Sequence, residues 1–192
     1  MNSFYSYEEL MALGFQKVGK NVLISKKASF YGIGNISIGD YVRIDDFCIL
    51  SGMITLGSYV HISAYAVLYG GTAGITVEDF ANISTRSTVF AVCDDFTGAA
   101  MAGAMVPPEC RLVDERPVLI KKHVVVGAHC VVLPGITLSE GSAFGACSLI
   151  NKDSLPWSLN AGVPFRKMRD REKKPLILEL QILDNAASAD TV

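Results

Sequence analysis

Apolar side chains recur every six residues from Val18 to Ile150, with polar or small residues between them. Taken three at a time, the recurring positions are Val18, Ile24, Phe30; Ile38, Ile44, Leu50; Leu56, Ile62, Leu68; Val77, Ile83, Val89; Ile120, Val126, Val132; and Leu138, Phe144, Ile150. Neither a helix nor a hairpin has a period of six. The pattern predicts three short strands per turn of 18 residues, each turning one apolar residue inward. Such turns stack as a triangular parallel β-helix with strands ~4.8 Å apart. Four residues after many of these leaders comes a small side chain that a narrow interior can hold, as at Ala28, Cys48, Ala66, Ser87, Cys93, Cys130 and Ser148. Gly39, Gly57 and Gly127 follow leaders directly, where a corner needs little bulk or a permissive backbone.

Departures from the repeat divide the chain into a capping segment (1–17), a β-helix domain (18–167) and a C-terminal tail (168–192). Tyr7 to Leu13 is expected to form a short helix over the open end of the first coil, whose strand edges would otherwise be unpaired. A three-residue insertion around Gly70–Gly74 lengthens the third coil. The main excursion, 95–119, is too long for a corner and carries Met101, Met105, Val106, Pro107, Pro108 and Leu112. It should project and pack on something, another copy of the chain being the expected partner. Beyond Pro164 the chain is basic, then apolar at Leu176, Ile177 and Leu178, and it ends in a polar stretch expected to be mobile.

With 192 residues, half of them hydrophobic, the chain suits one domain, and no apolar run is long enough to span a membrane. The start, MNSFYSYEEL, has neither a basic leader nor an apolar stretch, so a cytoplasmic location is expected. The five cysteines show no CxxC or Cys/His cluster and are read as reduced packing residues, with no metal site. Charges of 17 basic and 19 acidic side chains leave no electrostatic footprint for nucleic acid.

Three histidines are available for chemistry. His61 precedes the leader Ile62 and faces outward, and Arg43 and Asn82 hold the same position on the flanking coils. These three are expected to line a polar corner beneath the Gly70 insertion and near the root of the excursion; the plain alternative is a solvated corner histidine. His123 is read as a structural corner residue, and His129 faces either solvent or a groove.

The hexapeptide ladder, the excursion after the fourth coil, the run Val126-Gly127-Ala128-His129-Cys130-Val131-Val132-Leu133-Pro134-Gly135 and the ending Ala161-Gly162-Val163-Pro164 resemble the hexapeptide-repeat acetyltransferases. Within them the chain is most similar to the branch of galactoside and maltose O-acetyltransferases and surface-polysaccharide sugar acetyltransferases. Over residues 18–170 this resemblance implies an all-β, left-handed parallel β-helix of about six coils with a projecting loop and short terminal helical segments. It also implies a homotrimer, with acetyl-CoA as co-substrate in the groove between subunits. By the same resemblance Ala128, His129 and Ala146 contact the pantetheine arm, Trp157 and Pro164 the far end of the donor, and Arg166 and Lys167 its phosphates. Alternatively, Trp157 caps the apolar column and the basic run is a solvated surface.

The chain departs from that branch where the loop leaves the coil: the relatives hold a catalytic histidine there, and this stretch reads Ala91-Val92-Cys93-Asp94-Asp95-Phe96. The base is then Asp94 or Asp95, or His61, or the acceptor is an amine needing little help; an exposed aspartate is a weak base for a sugar hydroxyl. The reading adopted is direct transfer of an acetyl group from acetyl-CoA to a hydroxyl or amino group of a sugar or nucleotide-linked sugar, in surface polysaccharide biosynthesis. His61 takes the proton, Asp94 and Asp95 position the acceptor or orient His61, and Asn82, Arg86 and Tyr65 bind the acceptor. An acetyltransferase with a non-sugar acceptor and a non-catalytic trimeric scaffold are the alternatives.

Overall fold

The computed structural model describes residues 3–189. The six-residue leaders stack leader on leader in three columns. On the first face Ile24 pairs with Ile44, and the column continues through Ile62, Ile83 and Val126 to Phe144. The second runs from Phe30 through Leu50, Leu68, Val89 and Val132 to Ile150. The third runs from Val18 through Ile38, Leu56, Val77 and Ile120 to Leu138. All of these pairings are parallel, and the chain is a left-handed parallel β-helix. Every leader is buried except Val18 and Phe30, which belong to the first coil and have no coil above them.

The ends are closed as chain stacking requires. The helix Tyr7–Ala12 starts with a capping box, Ser6 accepting from the Glu9 amide and the Glu9 carboxylate accepting from the Ser6 amide. It buries Leu10 over the first coil, and Phe15 packs edge-on against Phe30 at 5.0 Å. At the other end the strand Arg166–Asp170 turns back antiparallel on Ser158–Ala161 and covers the last strand edge. The helix Lys174–Ala189 follows. Of the segment 168–192, residues 190–192 lie outside the described residues, as do residues 1–2 of the capping segment.

Glycine and conformation part company at the corners. Gly39, Gly57 and Gly127 do not have positive φ; they are needed because the coils approach too closely for a side chain. A Cβ on Gly39 would lie 2.6 Å from the Gly57 backbone, and one on Gly127 would lie 2.5 Å from the Phe144 carbonyl oxygen. The left-handed conformation falls two residues after these glycines, on Tyr41, Tyr59 and His129, and it is shared by Phe80, His123 and Trp157, which continue the column of Tyr41 and Tyr59. Each such residue costs about 1–2 kcal/mol. Stacking of the side chains offsets part of it: Tyr41 on Tyr59 at 4.7 Å, Tyr59 on Phe80 at 4.7 Å, Phe80 on His123 at 5.3 Å, then His123 beside Trp157 at 5.9 Å. A second corner repeats the device with Phe47, Tyr65, Arg86, His129 and Cys147.

The Gly70–Gly74 insertion lies inside the long strand Val67–Val77, where two register shifts against Ile49–Leu56 absorb the extra residues. The excursion leaves as an antiparallel ribbon, Val92–Asp94 with Val113–Glu115, and the coil resumes at Val118–Ile120 beside Ile75–Val77. Glu115 accepts from the Thr72 and Ala73 amides, bracing the insertion against the ribbon. Cys93, placed by the repeat in the interior, sits on this ribbon and is half-buried, because the chain has already left the coil. Cys48 and Cys130 are buried, and burial pushes the Cys48 thiol up to about 11.

Candidate functional site

Arg43, His61 and Asn82 stand in register on three successive coils of the first face. Their leaders Ile44, Ile62 and Ile83 point inward, so strand alternation turns all three outward. His61 Nε2 is 2.7 Å from Asp45 Oδ2, and Arg43 Nε donates to Asp45 Oδ1 at 2.7 Å. Partial burial would raise the Asp45 carboxyl, but the hydrogen bonds and charge from His61 and Arg43 outweigh it and hold the group below the usual carboxylate range. Arg43 is further fixed by lying 5.3 Å over the Phe4 ring. His61 Nδ1 makes no hydrogen bond to any described residue.

This face runs into the second aromatic corner, which gathers several residues expected at the site. Tyr65 stacks on Phe47 at 4.9 Å, and the Arg86 guanidinium lies 5.4 Å over the Tyr65 ring. His129 and Cys147 continue the column on the next two coils, both exposed. Beside them are Ala128 and Ala146. The coil-to-coil hydrogen bonds here run from the Gly127 amide to Phe144 and from the Cys147 amide to Ala128, so the Ala128 and Ala146 amides take part in none of them.

Asp94 and Asp95 do not meet His61. They root the projecting loop at a different corner, and consecutive carboxylates have taken separate partners. Asp94 accepts from Arg111 Nη2 at 2.6 Å and from the Gly103 amide at 2.9 Å. The Arg111 bond, chiefly, holds its carboxyl below the ordinary range. Asp95 is folded into its own loop, accepting from the Thr97 amide and hydroxyl and from the Gly98 and Ala99 amides. Both are ionised acceptors, and neither has the raised pKa that a carboxylate base needs. Phe96 and Met105 on the same loop are 92% and 97% exposed.

Trp157 is buried, its indole over Gly141 and beside His123, so it caps the column. Pro164 follows a cis peptide bond, and Arg166 and Lys167 are exposed on the terminal strand, with Lys167 paired to Asp170. His123 is buried and bonds through Nε2 to Glu179 Oε2 at 2.7 Å, while Lys122 Nζ reaches Glu179 Oε1 at 2.6 Å. Arg171 donates to the His123 and Gly141 carbonyls. Sequence reasoning missed two of these relationships: Asp45 as the partner of His61, and Glu179 as the partner of His123. The first had a signal, since an 18-residue coil puts position 45 diagonally beside 61; the second, across 56 residues, had none.

Among the described residues no cluster of His, Cys, Asp and Glu could hold a metal ion, and no helix is long and apolar enough to cross a membrane. No family model matches the chain. It is 42% identical over 173 residues to the dTDP-4-amino-4,6-dideoxy-D-glucose acyltransferase of Escherichia coli, covering 89% of this chain and 90% of that protein. It is similar throughout to a crystal structure of AntD, an N-acyltransferase from Bacillus cereus, in complex with dTDP and 3-hydroxybutyryl-CoA: 52% identity, TM-score 0.95, 97% of this chain and 100% of that one. A shorter likeness, 42% over 60 residues and 30% of each chain, is to the galactoside O-acetyltransferase of Escherichia coli strain K12.

Proposed function

Because the chain belongs to the hexapeptide-repeat acetyltransferases, in the group that holds dTDP-aminosugar acyltransferases, we propose that it moves an acetyl group from acetyl-CoA to the amino group of a dTDP-linked 4-amino-4,6-dideoxyhexose. The observation that carries the choice of an amine over a hydroxyl is the root of the projecting loop. Asp94 stands there bound to Arg111, an ionised acceptor suited to receiving an amino group and unsuited to removing a proton from an alcohol.

The steps are these. The neutral amine attacks the thioester carbonyl, the C–S bond breaks, and the amide and the CoA thiolate form. The proton released from nitrogen passes to His61 Nδ1, which then returns it to the thiolate. Amides at Ala128 and Ala146, unused by the coil, are assigned to the pantetheine arm, with His129 at its edge and Arg166 and Lys167 toward its phosphates. Asn82, Arg86 and Tyr65 are assigned to the acceptor, Tyr65 and Arg86 offering a stacked, charged rim for a nucleotide. Asp94 is assigned to the acceptor, and Asp95 to the loop alone. Trp157 and Pro164 are assigned to the wall that bounds the donor groove.

Within one chain His61 and Asp94 stand on different faces, so the proposal pairs the loop of one copy with the His61 corner of the next in a homotrimer. The exposure of Phe96 and Met105 supports it, since such side chains need cover. We assign the reaction to the cytoplasm, as a step in building a surface polysaccharide.

The test is a CoA-release assay with acetyl-CoA and dTDP-4-amino-4,6-dideoxyglucose, with the product weighed by mass spectrometry. Thiol release that depends on the aminosugar, with one acetyl gained on nitrogen, is expected. Equal transfer to the sugar bearing a 4-hydroxyl would reject the amine specificity. No transfer and no rise in melting temperature with CoA would favour the scaffold.

A further inference from the structure

We infer that Asp45 is the positioning residue for His61, and that Arg43 decides how Asp45 can do it. This rests on His61 being the base in the proposed transfer.

Asp45 divides its carboxylate between two donors. Oδ2 faces His61 Nε2 and Oδ1 accepts from Arg43 Nε, both at 2.7 Å. The group is ionised and mostly shielded, so it accepts a proton-bearing nitrogen and donates nothing. His61 in its neutral form must therefore carry its proton on Nε2, which leaves the lone pair on Nδ1, the nitrogen with no partner among the described residues. That is the tautomer a base needs. When Nδ1 takes the acceptor's proton, the imidazolium forms beside a carboxylate already in place. Among the described residues the charged group bonded to this pair is Arg43, and the Lys27–Asp46 pair lies at the following corner.

Arg43 gives the arrangement a property that packing alone would not have. In an Asp45→Asn protein one oxygen must serve two donors. The guanidinium is always charged and is also held over Phe4, so it takes the oxygen. The amide NH2 then faces His61 Nε2, which can meet it only as an acceptor. The proton moves to Nδ1 and the base is lost. Removing Arg43 as well lets the amide turn round and offer its oxygen to His61.

The experiment measures kcat, acceptor KM and the pH profile of kcat/KM for His61→Ala, Asp45→Asn and Asp45→Asn with Arg43→Met, each checked for folding by its melting temperature with CoA. A fall in kcat of about 10²-fold in Asp45→Asn, with KM little changed, is expected from the general size of acid–base contributions. Partial recovery, on the order of tenfold, is expected in the double variant. Nitrogen-15 NMR of the histidines in the unaltered protein should find His61 protonated on Nε2 at high pH, and this stands even if Asp45→Asn does not fold. Full turnover in His61→Ala would remove the base on which the inference rests. Loss in His61→Ala, combined with an unchanged rate and pH profile in Asp45→Asn, or with Nδ1–H as the resting tautomer, would overturn the role of Asp45 while leaving His61 in place.

Discussion

Glu179 on the C-terminal helix sets Oε2 2.7 Å from Nε2 of His123, joining residues 56 positions apart through a buried contact. Its other oxygen holds Lys122 at 2.6 Å, so one carboxylate fastens the helix to two consecutive residues of a coil corner. Glu179→Ala removes both bonds and leaves the buried His123 nitrogen without a partner. A loss of about 2–3 kcal/mol in urea unfolding is expected.

The same carboxylate fixes a pH dependence. Burial would raise the Glu179 carboxyl, but hydrogen bonds from Lys122 and His123 prevail and hold it below its ordinary value. A carboxyl whose folded pKa is depressed contributes stability that is present above the unfolded value, about 4.3, and is lost as pH falls toward the folded one. The stability gap between the unaltered protein and Glu179→Gln should therefore be full at neutral pH and begin to shrink as pH falls below the unfolded value, about 4.3. A gap that does not shrink at all on acidification would assign the stabilisation to packing.

Gly141 has φ +66° and stands where a side chain would run into the Trp157 ring. Gly141→Ala meets strain and collision together, so about 2–4 kcal/mol of destabilisation is expected. Trp157 should become exposed to quenchers in the folded variant.

How much of this was legible follows from where each partner lies. The columns of leaders were, because burial repeats with the coil: Ile44, Ile62, Ile83 and Val126 stack as their spacing implies. The register of Arg43, His61 and Asn82 was legible for the same reason. Nothing local in the sequence said that Tyr41, Tyr59 and Phe80 adopt the left-handed conformation and stack. Asp94 and Asp95, adjacent in sequence, suggested joint chemistry; the loop gave each its own donors, and loop contacts have no period to betray them. Glu179 was invisible because its helix docks by a contact outside the repeat.

Asp94→Ala should separate the acceptor from the loop. It deprives Arg111, whose Nε is already buried without a hydrogen-bond partner among the described residues, of its carboxylate. A rise in acceptor KM of about tenfold is expected, the size of one lost charge-assisted hydrogen bond. Faster proteolysis within 95–112 should accompany it. An unchanged KM would remove Asp94 from acceptor binding.

Trp157, the only tryptophan in the chain, closes the column of rings that begins at Tyr41. The molecule thus carries one built-in fluorophore at a single known address, the seam between the last coils and the terminal segment. Emission from that indole reports the lifting of the seam, while far-ultraviolet dichroism reports the coils above it. Two optical signals recorded on one unlabelled sample can therefore tell whether the solenoid unravels from its C-terminal end or melts as a unit.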